Sequence, residues 1–403
     1  MHILLIHQAF AALDEAGGTR HYEMARFLVG RGHRVTIITS PVSYLTGKAR
    51  GEKQAWVAEE TPESGIRILR TYTYAGLHRS FVHRVFSFLS FMLSSFCAGL
   101  RLGQIDLVWG TSPPIFQGFT AWLLARLKRA PFLFEVRDLW PAFAIAVGVL
   151  RSRLLIRLSL WLEGFLYRRA QRVVVNSPGY IQHVSERGAR RVDLVPNGAD
   201  PDMFTPSSRG EEFRRQHRLD GKFVALYAGA HGLSNDLGVV LEAAAAARER
   251  SDIAFVLGGD GKEKPSLLEQ AAAQALENVR FIPSVPKNEI AEVLAAADAC
   301  IAILKPLEMY KTTYPNKVFD YMAAGRPVLL VIDGVIREVI EKAGCGISVP
   351  PGDAQALAKA AIRLADQPEL AREMGAAGRR AVEEEYRRER FAGQFALILE
   401  EMR

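Results

Sequence analysis

Residues 315–328 read Pro-Asn-Lys-Val-Phe-Asp-Tyr-Met-Ala-Ala-Gly-Arg-Pro-Val and lead into the apolar run Val328–Ile332. The pattern predicts a helix that opens on amide and basic side chains, stops at Gly-Arg-Pro, and is followed by a buried strand. Backbone amides at the start of such a helix suit a diphosphate, and a carboxylate one turn on can bind ribose hydroxyls. The stretch therefore predicts a nucleotide pocket, although an ordinary α/β unit would show the same periodicity.

Short runs rich in Val, Ile and Leu alternate with helical stretches along the chain, which predicts parallel sheets. The polar segment 201–210 separates two series of runs and suits an interdomain linker. Because 403 residues are enough for two cores, we expect an α/β protein with two Rossmann-like domains facing a central cleft that binds the ligand. The expected strands are 3–6, 35–38, 105–109, 132–136 and 173–175 in the first series, and 223–228, 253–257, 279–283, 300–304 and 327–332 in the second.

Composition indicates a globular protein, with 49% hydrophobic and 24% charged residues. The net charge of +7 favours an anionic partner, but the absence of long like-charge runs and of RNA-binding signatures argues against nucleic acid. Three scattered cysteines indicate reduced thiols, and the first apolar run is too short for a signal peptide. We therefore expect a cytoplasmic protein.

Six segments stand in a set order along the chain: Gly17-Gly18, Asn176-Ser177, 195–200, 258–261, 316–328 and 350–353. In this order they resemble the retaining family-four glycosyltransferases of GT-B fold, and among them the WbuB-like branch of bacterial surface-polysaccharide assembly. The resemblance implies an acceptor-side domain at 1–205, a nucleotide-sugar-binding domain at 206–385 and a C-terminal helix, 386–403, that crosses back to the first domain. It also implies transfer of a sugar such as N-acetylfucosamine from a UDP-linked donor to a lipid-linked or saccharide acceptor.

Carried over residue by residue, the resemblance implies that the donor is bound by Gly17, Gly18, Ser284, Val285, Lys305, Asn316, Lys317, Val318, Asp320 and Glu338. The paired glutamates of the family fall at Thr312 and Asp320, so only the second position keeps a carboxylate. Relatives place an Arg and a Lys after the strand that opens the second domain, and 228–236 has neither. We expect Lys305, Lys311 or Lys317 to offset the diphosphate charge instead, unless these lysines are solvated surface charges.

The strand 132–136 runs into Arg137-Asp138, where relatives often have His-Asp. The resemblance implies that Arg137 holds a phosphate or the acceptor and that Asp138 orients the acceptor, with Glu135 as a further catalytic candidate. A strand-end salt bridge is the alternative. Retaining transfer in this family is thought to use the leaving diphosphate to deprotonate the acceptor. We expect no metal and no cofactor.

Two helical stretches of the first domain suggest contact with an anionic membrane. Residues 85–100 carry no charge but are fewer than the roughly 20 that span a bilayer, and 150–169 mix bulky apolar residues with arginines. Such segments predict peripheral binding at the inner face of the cell membrane, unless they are buried core helices.

Two other functions fit the same architecture. A sugar-nucleotide epimerase would need carboxylates and a histidine able to move a proton. A non-catalytic GT-B binding subunit is favoured by Thr312 and by the missing Arg and Lys.

Overall fold

The computed structural model describes residues 1–15, 17–44, 46–51, 54–62 and 64–403. The chain forms two compact units. The first comprises 1–12, 17–196 and 389–403, and the second comprises 197–388 with a short segment that begins at Leu13. We placed the boundaries at 205/206 and 385/386, whereas the units divide at 196/197 and 388/389.

The first unit is built on an eight-stranded sheet of order β3-β4-β2-β1-β5-β6-β7-β8. All neighbouring strands are parallel except β3 and β4. Its strands are β1 His2–Ile6, β2 Arg34–Thr39, β3 Val57–Glu60, β4 Arg67–Thr71, β5 Leu107–Ser112, β6 Phe132–Val136, β7 Arg172–Val175 and β8 Val192–Leu194. Its helices are α1 Arg20–Gly30, α2 Phe81–Arg101, α3 Phe116–Lys128, α4 Ala142–Ala146, α5 Arg153–Arg169 and α6 Ile181–Glu186.

The second unit is built on a parallel six-stranded sheet of order β11-β10-β9-β12-β13-β14. Its strands are β9 Phe223–Ala228, β10 Ile253–Gly258, β11 Val279–Ile282, β12 Ala299–Ile303, β13 Val328–Val331 and β14 Gly346–Ser348. Its helices are α7 Glu211–Gln216, α8 Leu237–Ala246, α9 Lys264–Ala273, α10 Ile290–Ala295, α11 Asn316–Ala323, α12 Val335–Ala343, α13 Ala354–Asp366 and α14 Pro368–Glu384, and the last helix of the chain is α15 Arg388–Glu400.

The predicted α/β class is confirmed, and each expected strand is present. The largest shift concerns 105–109, because the strand lies at Leu107–Ser112 and Gly110 is part of it. The short strands β3, β4, β8 and β14 were not predicted. Three of them lie at sheet edges, where half-exposed polar residues replace the apolar runs that mark central strands.

Residues of α15 complete the core of the first unit. The side chain of Phe395 is fully buried, and its ring centroid lies 4.6 Å from that of Trp109. Farther along, Glu401 forms an ion pair with Arg172 at the start of β7.

Among the described residues, α2 alone has the length and apolar composition of a membrane-spanning helix. It is longer than the uncharged run in the sequence because it includes Arg84 and Arg101. Phe91 and Ala98 of this helix pack into the core of the first unit.

Candidate active site

In the second unit the strand order reverses between β9 and β12, and ligands of doubly wound sheets bind at such a point, beyond the carboxyl ends of the strands. The loop after β9 begins at Gly229, and the segment after β12 contains Lys305. The amide of Lys305 donates to the carbonyl of Ser234 at 3.0 Å, which joins the two segments.

Lys317 lies in the first turn of α11 and reaches the end of β9. Its Nζ donates to Tyr227 Oη at 2.8 Å and lies 4.0 Å from the centroid of that ring. Burial lowers the pKa of Lys317 to about 7. Gly229 packs against the ammonium group, since a Cβ there would lie 2.5 Å from Nζ. The structure therefore brings a cation, a loop backbone and a helix start together at the switch point.

Glycines after β10 hold the neighbouring loop against this one. The amide of Gly229 donates to Gly258 O at 2.9 Å, and that of His231 donates to Asp260 O at 2.8 Å. A Cβ at Gly259, where φ is +136°, would lie 1.8 Å from Gly229 O. Only glycine permits so close an approach.

The ring of His231 is buried beneath these loops. Neither ring nitrogen has a hydrogen-bond partner within the part of the chain that the structure describes. Burial and the nearby Lys264 charge lower its pKa to about 4. His231 is therefore neutral near pH 7 and adds no positive charge to the loops.

Ser284 follows β11, where we expected it to meet the nucleotide base. Its amide and hydroxyl donate to Asp260 Oδ2 at 3.3 and 3.2 Å, and Asp260 Oδ1 pairs with Lys264 at 3.0 Å. The side chain of Val285 packs against the hydrophobic core. These contacts show that Ser284 is engaged by the fold, so its donor groups would have to leave Asp260 to reach a base.

Asp320, which we expected to bind ribose, is only 8% exposed. Its Oδ2 accepts from Lys287 Nζ at 2.6 Å and from Asn316 Nδ2 at 3.5 Å. Its Oδ1 is buried without a hydrogen-bond partner among the described residues. The amide oxygen of Asn316 accepts in turn from Arg388 at 3.0 Å, and the Val318 side chain is fully buried in the core.

The predicted donor-binding roles of Asn316, Val318 and Asp320 stay predictions, although the fold engages all three side chains. The carboxylate of Asp320 and the side-chain amide of Asn316 hold the start of α11 together, and the side chain of Val318 supports it from the core. Lys287 was not predicted, because its partner is 33 positions away and the pairing depends on the tertiary fold.

The other predicted donor residues of the second unit, Lys305 and Glu338, follow the carboxyl ends of β12 and β13. Lys305 is half-buried, and its charge opposes the rise that burial imposes on the pKa of Asp236. Glu338 is exposed in the first turn of α12. Lys311 instead pairs with Glu308 at 2.7 Å on the surface, and Thr312 Oγ1 donates to Met309 O at 2.6 Å. Lys305 and Lys317 are therefore the cations best placed for a diphosphate.

In the first unit the strand order reverses between β1 and β5, and Arg137 follows the adjacent strand β6. Its Nε donates to Thr111 Oγ1 at 3.2 Å, and its Nη2 contacts His7 Nε2 at 3.0 Å. Because a guanidinium only donates, His7 Nε2 accepts this hydrogen bond. Burial, His21 and Arg137 lower the pKa of His7 well below its usual value, which agrees with a neutral ring.

Asp138 lies next to Arg137 with its carboxylate partly exposed. No hydrogen bond or ion pair of this carboxylate is found within the described ranges. Burial raises its pKa to about 6, and the Arg137 charge opposes the rise. Asp138 can therefore accept a proton or a hydrogen bond near neutral pH.

Glu135 is fully buried, and both of its oxygens are occupied. Oε1 accepts from Arg20 Nε at 2.9 Å, whereas Oε2 accepts from His21 Nε2 at 2.6 Å and Trp109 Nε1 at 3.2 Å. Burial alone would raise its pKa, but His21 and Arg20 outweigh burial and hold the pKa low. The catalytic role predicted for Glu135 stays a prediction, and the structure shows a buried carboxylate engaged by three donors.

Gly17 and Gly18, predicted to bind the donor, lie in the first unit shortly before the two residues of α1 that contact Glu135. Both glycines are exposed and precede α1, whose first residues are Arg20 and His21. His7, Arg20, His21 and Trp109 were not predicted, although His7 and His21 flank a predicted loop. Arg20, His21 and Trp109 donate to the carboxylate of Glu135, and His7 contacts Arg137. Spacing along the sequence does not show such shared contacts.

The described residues contain no group of three or more His, Cys, Asp or Glu side chains that could hold a metal ion. The triplet Asp200-Pro201-Asp202 has the Asp-x-Asp pattern. Asp200 Oδ1 accepts from the amide of Asp202, and Asp202 pairs with Arg387. Both side chains are thus engaged by the fold.

Comparisons with known proteins agree with this architecture. WcaI of Escherichia coli (strain K12), named for colanic acid biosynthesis as a glycosyl transferase, is 24% identical over 358 residues, which cover 85% of this chain and 86% of WcaI. Sucrose-phosphate synthase from Thermosynechococcus elongatus matches with a TM-score of 0.78 and 22% identity over 100% of this chain and 98% of that chain. Anabaena HepE in complex with UDP-glucose matches with a TM-score of 0.75 and 16% identity over 100% of both chains.

These structural neighbours show that the fold is GT-B. Residues 16–198 match the family described as Glycosyl transferase 4-like domain. Residues 222–367 match the family described as Glycosyl transferases group 1. The two matches place both units of this chain among the glycosyltransferase domains of these families.

Proposed function

We propose that the protein is an anomer-retaining glycosyltransferase that moves a sugar from a UDP-linked donor to a lipid-linked or saccharide acceptor in bacterial surface-polysaccharide assembly. The observation that carries the proposal is the position of Lys317, whose ammonium lies against Gly229 and Tyr227 at the switch point of the second sheet. The names of WcaI and of the HepE complex with UDP-glucose support it.

In this proposal the second unit binds the donor. The diphosphate accepts hydrogen bonds from the loop after β9 and from the start of α11, and Lys305 and Lys317 offset its charge. The glycines of the loop allow the phosphates to approach the backbone. Glu338 is assigned to the sugar. The solvent-facing side of Ser284 and Val285 is assigned to the nucleoside.

The first unit binds the acceptor hydroxyl. Arg137 is fixed by His7 and Thr111, so its guanidinium offers a preset direction to an anionic or hydroxyl group of the acceptor. Asp138 accepts a hydrogen bond from another hydroxyl of the acceptor and so orients the attacking one. The bond from this oxygen to the anomeric carbon forms on the face from which the diphosphate leaves, and the leaving diphosphate takes the proton.

The donor sugar and the acceptor rest on the WbuB-like resemblance rather than on the geometry. We assign an N-acetylated amino or deoxy sugar such as N-acetylfucosamine as the donor sugar, and a lipid-linked saccharide as the acceptor. A lipid-linked acceptor would place the enzyme at the inner face of the cell membrane. Exposed apolar side chains of α2 suit peripheral contact there, namely Phe81, Val82, Phe86, Leu89, Leu93 and Leu100.

Binding and transfer measurements test the proposal. We expect titration calorimetry to show tighter binding of UDP than of GDP, and Lys317→Met to weaken UDP binding. The matched control is Arg248→Gln, which removes one exposed charge elsewhere in the second unit. A panel of UDP- and GDP-sugars with a prenyl-diphosphate-linked acceptor then tests transfer, and proton NMR of the product reads the anomeric configuration.

Intact UDP binding without transfer to any acceptor would favour a non-catalytic binding subunit. An inverted product would refute retention while leaving sugar transfer in place. Equal UDP affinity in wild type and Lys317→Met would remove the assigned donor site.

A further inference from the structure

A cleft of about 400 Å³ opens at the amino ends of β6 and β7. Its lining includes Arg126, Arg168, Arg169 and Arg190 together with Trp122. Arg137 follows the opposite, carboxyl end of β6. The arginine cleft is therefore separated from the proposed acceptor site by the length of the strand, which is about 16 Å for five residues.

Two of these arginines are held in place by their neighbours. The stem of Arg168 packs on Gly188, where an added Cβ would lie 2.8 Å from Arg168 Cγ, and its guanidinium lies over Gly164, at 3.0 Å from an added Cβ. The guanidinium of Arg169 lies 5.6 Å from the ring centroid of Phe165. These contacts orient the charges without neutralising them.

No acidic side chain is found in the lining of the cleft among the described residues. Arg126 occupies the last turn of α3, and Arg168 and Arg169 occupy the last turn of α5, where a positive charge is favourable. That effect acts on each helix end separately and does not account for four arginines around one cleft, because their charges repel each other. A bound anion would relieve this repulsion, and arginine forks match phosphate oxygens.

An exposed apolar surface continues from the cleft along α5. The Trp122 and Phe165 rings meet edge to face at 4.7 Å, and Trp161 stacks on Phe165 at 5.3 Å. Trp161 is 57% exposed, and one and two turns earlier on the same helix Leu158 and Leu154 are 52% and 66% exposed. Basic residues beside an apolar and aromatic helix face are typical of an interfacial helix on anionic lipid.

The same surface extends over neighbouring helices. Buried residues of α2, α3 and α5 belong to one core cluster, so these three helices cover the same face of the first sheet. Their outward faces carry exposed apolar side chains at Leu93 on α2 and Leu127 on α3 as well as those of α5. The arginine cleft therefore lies within a broad apolar region.

We propose that the arginine cleft binds the phosphate headgroup of an anionic phospholipid and seats the α2–α3–α5 face on an anionic bilayer. The inference rests on the lipid-linked acceptor of the proposed function. It assigns the anchoring to a site apart from the residues of sugar transfer. We assign a phosphatidylglycerol-containing bilayer as the occupant. Its anionic headgroups match the charge of the four arginines, and its acyl chains match the exposed apolar side chains around the cleft.

Vesicle flotation of the full chain tests the proposal. We expect binding to vesicles that contain about one-third phosphatidylglycerol and little binding to phosphatidylcholine alone. The double variant Arg168→Gln/Arg190→Gln should bind the anionic vesicles about 30-fold more weakly, because each basic residue near an anionic surface contributes about a factor of five. The control Arg248→Gln/Arg380→Gln removes the same charge from exposed positions of the second unit and should bind like wild type.

Three outcomes would overturn the proposal. Equal weakening by both double variants would show attraction through net charge rather than through the cleft. Equal binding of wild type to both vesicle types would remove the role of the anionic headgroup. Tight binding of glycerol phosphate or inorganic phosphate in calorimetry, lost in Arg168→Gln/Arg190→Gln while flotation is unchanged, would assign the cleft to a free phosphate compound. UDP affinity should be unchanged in the cleft variants, which separates this proposal from failure of the proposed function.

Discussion

The affinity for UDP should fall as pH rises above 7, because the main cation of the proposed donor site is buried. Burial lowers the pKa of Lys317 from 10.5 to about 7. If only the charged lysine binds the diphosphate, the dissociation constant grows in proportion to 1 + 10^(pH − 7). Between pH 7 and pH 9 the affinity should then drop about 50-fold, or about 2 kcal/mol.

The protein without ligand should respond in the opposite direction. The unfolded chain protonates Lys317 below its usual pKa, whereas the folded chain does so only below about pH 7. Because the unfolded state binds more protons between these values, the free energy of unfolding should rise with pH across that window. Lys317 should therefore take up a proton when UDP binds and release one when the chain folds.

Calorimetry in buffers of different ionisation enthalpy measures both affinity and proton uptake. At pH 7 about half a proton should be taken up per UDP, and near one at pH 8.5. Lys317→Arg keeps its charge at every pH and should lose the slope, whereas Lys305→Met should weaken binding at every pH and keep it. A flat affinity between pH 7 and 9 in wild type, or the same slope in Lys317→Arg, would refute the reasoning.

Three further perturbations test other parts of the molecule. Because burial raises the pKa of Asp138 to about 6, kcat/KM should fall as pH drops through 6, and Asp138→Asn should lower it about 100-fold and abolish this limb of the profile; a limb that persists in the variant assigns it to another group. Gly259→Ala places a Cβ 1.8 Å from a carbonyl oxygen of the adjacent loop and should lower the free energy of unfolding in urea by about 3 kcal/mol, whereas Gly232→Ala, whose Cβ meets nothing closer than 3.7 Å, should change it by less than about 0.5 kcal/mol. Lys287→Met leaves the buried carboxylate of Asp320 without its lysine and should cost about 3–5 kcal/mol in the same assay, with much of it recovered in Lys287→Met/Asp320→Asn; equal stability of the single and the double variant would show that the unpaired carboxylate is not the source of the cost.

The sequence predicted the central strands because each is a continuous apolar run buried on both faces, as in 132–136 and 253–257. Edge strands such as β3 were not predicted, because their residues are half-exposed or exposed and form no continuous apolar run. Lys317 was named because it stands at the start of a predicted helix, where a cation beside free backbone amides suits a diphosphate. Its role in donor binding stays a prediction. Element type and the ends of helices thus follow from local chemistry.

Roles that depend on distant partners could not be predicted. Counting from Gly325 placed Asp320 at a ribose-binding position, but the fold brings Lys287 to its carboxylate. Glu135 was similarly assigned to catalysis, and three donors from α1 and β5 occupy its oxygens. Position along a motif indicates where a carboxylate lies, whereas its availability depends on which charged groups the tertiary structure brings against it.

The packing of Phe395 on Trp109 has a consequence for synthesis on the ribosome. The first unit needs 389–403 to complete its core, yet its other residues emerge before position 197. Translation releases the whole of 197–388 before that last helix, so the part of the protein made first is the last that can finish folding. Until then Trp109 lacks the Phe395 ring that packs against it, so a chain truncated before residue 389 would leave the core of the first unit incomplete.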